Sequence, residues 1–172
     1  SGVGWAQVIT ELGPGALTDR ATIWEKIAPD AVTADVVVTF PAVCAEVRVN
    51  ALSASGANQT DLTGASEVSA EGTTEGTATV TVALSANGDL CYDTAYINND
   101  ATTATVGAGQ TARVQQAKQV GSTEAATGIN TVMSWTITTV GQESVQVAVA
   151  IKEAAAAAVL TKPTWPMPIA IM

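Results

Sequence analysis

Histidine is missing from this 172-residue sequence. Because histidine is the commonest general base and the commonest transition-metal ligand in proteins, its absence excludes Ser-His and Cys-His catalytic pairs. Neither of the glycine-rich nucleotide-binding patterns, GxGxxG and GxxxxGK[ST], occurs. The glycine-rich stretch VGAGQT at 106–111 is followed by no lysine and no helical pattern, which favours a turn between strands. We therefore predict that the protein is not an enzyme and needs no cofactor.

Positive charge is scarce. Seven basic residues stand against sixteen acidic ones, which gives a formal net charge of −9. Nucleic-acid binding requires a basic patch that neutralises phosphates, so we expect no binding to DNA or RNA. The sequence has no basic amphipathic segment and no apolar run near the ~20 residues that a membrane helix needs, so we expect no membrane insertion.

Carboxylate clusters are the remaining candidates for chemistry. Asp89 and Asp93 flank Cys91. An oxygen-rich turn follows, formed by Asn98, Asn99 and Asp100. Side-chain and carbonyl oxygens of this kind bind Ca²⁺, but the spacing does not match an EF-hand loop. Solvated turn residues are the favoured interpretation, and we predict no metal site.

Cysteine occurs twice, as Cys44 and Cys91, both in strand-like segments. A disulfide between them would close a long loop and stabilise the fold by about 4 kcal/mol in the chain-entropy estimate. Two separate buried thiols are an equally good interpretation, since free cysteine packs well in cores. The spacing excludes CxxC redox and zinc motifs. A bridge would favour an oxidising setting such as a virion or a cell surface.

The pattern that is present is that of β-strands. It is clearest over residues 77–97, where the sequence reads TATVTVALSANGDLCYDTAYI. Apolar residues alternate before Asn87-Gly88, a dipeptide suited to a type I′ turn, which predicts a β-hairpin. A second hairpin is predicted over 131–153, with Gly141 at the first position of a type II′ turn.

Further strands are predicted on either side of the hairpin over 77–97. Alternating apolar residues place one strand before Pro41 and one after it. These residues are Val36, Val38 and Phe40, then Val43, Ala45, Val47 and Val49. Residues 101–106 and 110–116 predict two short strands, whereas the polar stretches 53–76 and 117–130 predict loops. About eight strands without βαβ alternation indicate a single-domain antiparallel β-sandwich or jelly roll over residues 31–152.

Residues 1–30 form a predicted N-terminal arm. Its glycines and Pro14 exclude a long helix, which leaves one short turn around Trp5 to Leu12. A short helix over 21–28 is one prediction for the second half of the arm, and a strand over 22–27 is the alternative. Ser1 at the start is consistent with removal of an initiator methionine or of a targeting peptide.

Residues 153–172 form a predicted C-terminal arm. Pro163, Pro166 and Pro168 exclude regular structure and hold the chain extended. The arm is too apolar for a free tail, so we expect it to lie in a groove of its own domain or, in preference, of a neighbouring subunit. The predicted assembly contacts of the two arms are Trp5, Val8, Ile9, Trp165, Met167, Ile169 and Ile171.

Three stretches of the sequence resemble a known class of proteins in their general arrangement. They read PAVCAEVRVNALSASG at 41–56, VGAGQTARV at 106–114 and SWTITTVGQESVQVAVAI at 134–151. Their succession of strands and turns is similar to that of small β-sandwich structural proteins of tailed phages, such as capsid decoration proteins. The resemblance covers residues 31–152 and contains no diagnostic motif. It implies a non-enzymatic virion protein that binds copies of itself, a major capsid protein or another virion protein.

Two other functions fit the sequence. The first is a secreted filament or surface-layer subunit, in which an apolar terminal segment completes the sheet of a neighbour. The second is a carbohydrate-binding module. Such modules usually expose a planar aromatic platform, whereas this chain has only four Trp and two Tyr.

Overall fold

A computed structural model of the chain describes twelve ranges, and every structural statement below refers to them. They are residues 4–13, 19–27, 37–40, 42–43, 45–61, 63, 68–72, 76–83, 85–98, 104–116, 118–138 and 143–154.

All regular secondary structure in these ranges is β. The strands are β1 (Ala6–Leu12), β2 (Arg20–Glu25), β3 (Val68–Gly72), β4 (Thr77–Ala83), β5 (Leu90–Ile97), β6 (Ala104–Val106), β7 (Thr111–Gln115), β8 (Gln119–Ala125), β9 (Asn130–Ile137) and β10 (Ser144–Ile151). Among the described residues, no helix is long and apolar enough to cross a membrane.

The strands form three antiparallel sheets. One has five strands in the order β3-β10-β5-β8-β7, one has three in the order β4-β9-β6, and β1 pairs with β2. The five- and three-stranded sheets face each other, because Val82 of β4 and Met133 of β9 share a buried cluster with Ala148 and Ala150 of β10. The predicted all-β antiparallel sandwich is therefore confirmed.

The β1–β2 hairpin covers the outer face of the five-stranded sheet. Ala21 and Ile23 of β2 pack in one cluster with Val145, Val147 and Val149 of β10. Since β10 contacts the three-stranded sheet with one face and the hairpin with the other, it is buried along nearly its whole length. The predicted short helix over 21–28 and the turn around Trp5 to Leu12 are wrong, and the alternative strand predicted over 22–27 is confirmed in part by β2. Both segments gain more by pairing as strands over this apolar face.

The predicted hairpin over 77–97 is wrong. β4 pairs with β9, whereas β5 pairs with β8 and β10 in the other sheet. Asn87-Gly88 does form a turn, with Gly88 at a φ of +96°, but it lies in a connection that carries the chain across the sandwich. A period-2 pattern defines only the buried face of a strand, and two strands whose buried faces meet across a core show the same alternation as two neighbours.

The connection between β4 and β5 is held by Asp89. One carboxylate oxygen, Oδ2, accepts a hydrogen bond from the Ala86 N–H at 2.9 Å, and the Asp89 carbonyl accepts one from the Ala126 N–H at 2.9 Å. The positive φ of Gly88 favours glycine at this position, because a residue with a side chain would be strained there. These contacts aim the chain towards the five-stranded sheet.

The predicted hairpin over 131–153 is wrong for the same reason. β9 belongs to the three-stranded sheet and β10 to the five-stranded one. Gly141, the predicted turn residue, lies outside the described residues. The buried faces themselves are confirmed, because Met133, Trp135 and Val147 are fully buried.

Two predicted loops contain strands. β3 lies within 53–76 and pairs with β10, and β8 lies within 117–130 as an inner strand between β5 and β7. The sequence of β8, QVGSTEA, has few apolar residues, and its inward face combines Val120, which lies in the apolar core, with the polar Ser122. Ser122 on that face is completely buried. The short strand predicted at 110–116 is confirmed as β7, and the one predicted at 101–106 is confirmed as β6 over its second half, since residues 101–103 lie outside the described residues.

The strands predicted around Pro41 are wrong wherever the segment is described. Residues 37–40, 42–43 and 45–52, here called the strap, contain no strand. The strap reaches the outer face of the five-stranded sheet, where Asn50 Oδ1 accepts a hydrogen bond from the Tyr92 hydroxyl at 2.7 Å. The backbone of a chain that crosses the face of a sheet finds no strand edge to pair with. Val36 lies outside the described residues.

Candidate functional site

A buried carboxylate occupies the space between the two main sheets. Asp93 is on the inward face of β5, and its exposed fraction is 0 %. Charged side chains are almost never fully buried without partners, because desolvation of the ionised form costs several kcal/mol. Asp93 therefore requires hydrogen-bond donors around it.

Four hydrogen bonds converge on this carboxylate. Its Oδ1 accepts from the Ser122 backbone N–H at 2.7 Å and from the Ser122 hydroxyl at 2.6 Å. Its Oδ2 accepts from Trp135 Nε1 at 2.9 Å and from Gln146 Nε2 at 2.7 Å. An ionised carboxylate has about four acceptor positions, so each is used. Bonds of this charge-assisted kind are roughly twice as strong as neutral ones.

The donors come from three different strands. Ser122 on β8 and Gln146 on β10 flank β5 within the five-stranded sheet, and Trp135 on β9 reaches across from the opposite sheet. We call this cluster of Asp93, Ser122, Trp135 and Gln146 the polar junction. It ties the two sheets together at a point where an apolar core would offer only packing.

A second tier of bonds extends the polar junction towards the β6–β7 connection. Gln110 Nε2 donates to Ser122 Oγ at 2.7 Å, and Gln110 Oε1 accepts from the Ser134 N–H at 2.8 Å. Gln146 Oε1 is buried and has no hydrogen-bond partner within the described ranges. Every hydrogen-bond acceptor position of Asp93 in the polar junction is therefore occupied, and only the amide oxygen of Gln146 lacks a described hydrogen-bond partner.

Burial raises the pKa of Asp93, and the hydrogen bonds from Ser122, Trp135 and Gln146 oppose that rise. With every acceptor position occupied and no exposed surface, this carboxylate has no free lone pair to offer a substrate. The arrangement holds strands in register. Sequence reasoning noted Asp93 only as a neighbour of Asp89, and the signal that it missed is an acid placed on the apolar face of an alternating strand.

Asp89 and Asp93 do not form a carboxylate pair. Asp89 bonds the backbone N–H groups of Ala86 and Glu153, whereas Asp93 bonds the polar junction. Among the residues with described positions, no cluster of three Cys, Asp or Glu side chains is arranged to hold a metal ion. Of the oxygen-rich turn, Asn98 accepts a hydrogen bond from Tyr96 at 3.4 Å, while Asn99 and Asp100 lie outside the described residues.

Cys91 is a free thiol and is completely buried. Burial raises the pKa of this thiol, which keeps it protonated and unreactive. Its predicted disulfide partner, Cys44, lies outside the described residues.

The strap is the second candidate site, and its apolar side chains point to solvent. Val37 is 77 % exposed, Val43 is 101 % exposed and Val49 is 61 % exposed. The other exposed large apolar residues of the strap are Val38, Phe40, Val47 and Leu52. Scattered exposed apolar residues are normal, whereas these seven all lie in one segment.

Polar groups attach the strap to the sheet beneath it. Within the strap, Arg48 Nε donates to Glu46 at 2.7 Å. Another guanidinium nitrogen of Arg48, Nη1, donates at 3.0 Å to Gln116, which directly follows β7. Lys118 lies 3.4 Å from the second Glu46 oxygen. The hydrogen bond from Arg48 holds the pKa of Glu46 below its usual value, and Lys118 acts in the same direction. The strap therefore contacts its own sheet through polar groups and presents its valines outward.

The residues predicted as assembly contacts have different positions. Val8 and Ile9 are half-buried and pack against the cluster on the outer face of the five-stranded sheet. Trp5 is half-buried. The predicted C-terminal contacts, Trp165, Met167, Ile169 and Ile171, lie outside the described residues. The exposed valines of the strap were missed because their alternation predicts buried strands.

No protein-family model matches this sequence, and comparisons with curated proteins and with solved structures find no match either.

Proposed function

We propose that this protein is a non-catalytic structural subunit that binds copies of itself or a larger assembly through the strap. The observation that carries the proposal is the run of exposed apolar side chains between Val37 and Leu52. Apolar surface of this kind is a liability for a chain that stays alone, and its burial drives most protein association.

Within this class, we propose a decoration or accessory protein of a tailed-phage virion, bound to copies of itself or to a major capsid protein. Support comes from the all-β sandwich and from the stylistic resemblance of residues 31–152 to such proteins. The only fully buried carboxylate within the described ranges has all its acceptor positions occupied, which supports a scaffold role over catalysis. The net charge of −9 favours a protein partner over nucleic acid.

A secreted filament or surface-layer subunit is the second candidate. It is favoured by β4, which pairs with β9 on one edge and with no described strand on the other. An open edge of this kind is where a neighbour's segment adds by backbone hydrogen bonding. A carbohydrate-binding module has less support, because Trp135 is completely buried while Trp24 is exposed on β2, so these rings share no platform.

A charge placed in the strap tests the proposal. We expect Val43→Asp to weaken self-association by about tenfold or more, because an interface would have to bury an unpaired carboxylate. The matched control is Ile129→Asp, which alters an apolar residue that is 73 % exposed outside the strap. Both variants should fold within about 0.5 kcal/mol of the parent, since neither side chain is packed.

Sedimentation velocity over a concentration series measures the association, and electron microscopy identifies the assembly. Closed shells or rings support the virion proposal, whereas helical fibres support the filament candidate. A parent chain that stays monomeric at every concentration, or a Val43→Asp variant that associates as well as the parent, would show that the strap is not a self-association surface.

A further inference from the structure

The outer edge of β4 differs from every other free strand edge in the part of the chain that the structure describes. β4 is seven residues long, pairs with β9 without a register shift, and contains neither charge nor proline. The edge strand β6 has only three residues. The other edge strands each carry at least one charged residue, namely Glu11 on β1, Arg20 on β2, Glu71 on β3 and Arg113 on β7. Natural proteins use charges and short strands to keep edges from pairing, and β4 has neither protection.

The hydrogen-bond register shows which backbone groups of β4 point to this edge. The Ile137 N–H donates to the Gly76 carbonyl at 2.7 Å, and this pair continues the register in which Thr77 lies opposite Thr136. The N–H and C=O of one residue point to the same side of a strand, and neighbouring residues alternate between sides. The even-numbered residues of β4 therefore face β9, and the groups at the open edge belong to Thr77, Thr79, Thr81 and Ala83.

These four residues are available for a further strand. Their side chains lie exposed on the solvent face of the sheet, whereas those of Ala78, Val80 and Val82 lie in the core. Their outward N–H and C=O groups make no hydrogen bond to another described residue. A flat row of free backbone donors and acceptors is a template for a pairing strand.

A second copy of β4 matches this template when a two-fold axis passes through Val80. In that antiparallel register, Thr79 of one copy lies opposite Thr81 of the other, and Thr77 lies opposite Ala83. All four residues point to the shared edge, so each exchanges both backbone hydrogen bonds with the residue opposite. The threonines then form cross-strand pairs on the solvent face, which stabilise sheets, and the two Val80 side chains meet on the buried face.

Charge also favours this face for contact between copies. The net charge of −9 makes two copies repel each other, and an uncharged strand is where they can approach at the least electrostatic cost. The register through Val80 brings no charged residue of β4 opposite another, because β4 has none.

We propose that this protein forms a two-fold dimer in which the β4 edges of two copies pair, joining their three-stranded sheets into one sheet of six strands. An interface that uses the same surface on both copies closes at two chains. The inference goes beyond the proposed function, because the strap takes no part in it and remains free for the contacts proposed above.

Two double variants test the register. Thr79→Lys with Thr81→Lys places like charges directly opposite each other on both sides of the axis, and should weaken dimerisation by about tenfold or more. Thr79→Lys with Thr81→Glu is the matched control, since the same positions then carry opposite charges across the axis and the dimer should persist. Added salt should strengthen the first dimer and weaken the second.

Sedimentation velocity over a concentration series measures both variants. The variant with two lysines is the less negative of the two, so a general repulsion between copies would give the opposite order of association. Equal association of the two variants, or a parent chain that is monomeric at every concentration, would overturn the proposal. Val43→Asp should block assembly beyond the dimer and leave the dimer itself. Dimerisation that Val43→Asp abolishes and the lysine pair leaves intact would assign it to the strap instead.

Hydrogen exchange of the parent chain gives a readout that needs no variant. The amides of Thr79 and Thr81 should gain about tenfold or more protection as rising concentration increases the dimer fraction. The amides of β5, an inner strand of the other sheet, should be protected throughout and report that the chain is folded. Full protection of Thr79 and Thr81 in the monomer would overturn the proposal, since a segment of the same chain would then cover the edge.

Discussion

The polar junction and the strap invert the usual distribution of side chains. Asp93 lies between two sheets with an exposed fraction of 0 %, whereas Val43, on the strap, is 101 % exposed. A carboxylate is thus in the interior and a valine in solvent. The difference shows that position in this fold follows the availability of hydrogen-bond partners and packing surfaces, and that residue type alone is a poor guide to it.

The two regions also differ in what they do for the chain. The polar junction stabilises the fold, because four donors would be buried without an acceptor if Asp93 were removed. The strap contributes little packing, since its valines touch water. Under the proposed function, its apolar area is what a partner would cover. Substitutions in the first region should therefore change folding, and substitutions in the second should change association.

The largest effect is expected at Asp93. Asp93→Ala should lower the free energy of unfolding by about 3–5 kcal/mol, because it breaks a buried charged network from one side. Ser122→Ala is the matched comparison: it removes one donor to Asp93 and the acceptor of Gln110 Nε2, retains the backbone bond to Asp93, and should cost about 1–3 kcal/mol. Urea denaturation at neutral pH measures both. A loss below 1 kcal/mol for Asp93→Ala would mean that the junction does not stabilise the sandwich.

A smaller effect on the free energy of unfolding is expected at high pH. It comes from Tyr92, which lies on the outer face of β5. Burial, and then the charge of Asp93, raise the pKa of Tyr92 to about 12. The folded chain therefore holds this proton more tightly than the unfolded chain, so stability is fully present below pH ~10 and declines as the pH rises towards 12. The decline amounts to about 2–3 kcal/mol.

Tyr92→Phe should remove this part of the alkaline decline, and Tyr96→Phe should retain it. Free energies of unfolding at several pH values between 9 and 12, compared between variants, isolate the contribution. If the parent and Tyr92→Phe decline in parallel, then Tyr92 is not held away from water by the strap and the sheet.

The smallest effect is expected at Cys91, where native protein should show no reaction at all. In a Cys44→Ser background, a thiol reagent should label Cys91 only as fast as the chain unfolds, because the sulfur is buried and protonated. The rate of labelling with and without urea measures this. Fast labelling of the folded variant would place Cys91 at an accessible surface. In the parent chain, a mass that changes on reduction would instead support a disulfide between Cys91 and Cys44.

Local pattern predicted a substantial part of the fold. The alternation of Val80 and Val82 on β4, and of Met133 and Trp135 on β9, correctly identified which side chains are buried. It did not identify which strands pair, and both predicted hairpins are connections between sheets. It also failed for β8, whose inward Ser122 is polar because Asp93 needs a donor there.

Neither of the two candidate sites was predicted from the sequence in the form that the structure shows. Asp93 was visible as an acid on an alternating strand, but its donors are separated from it by 29, 42 and 53 positions along the chain. The strap has the same alternation as a core strand, and nothing local to it shows that it lies over the outer face of the five-stranded sheet.

The β class, the buried faces of the main strands and the absence of histidine can be read from the residues in order, because periodicity and composition are local properties. Three other features depend on the folded structure: which sheet each strand joins, why a carboxylate is tolerated in the core and why the valines of the strap lie outside. Those outcomes depend on hydrogen bonds and contacts between residues far apart in the chain, as when Trp135 reaches Asp93 from the opposite sheet. A local pattern carries no information about partners at that separation.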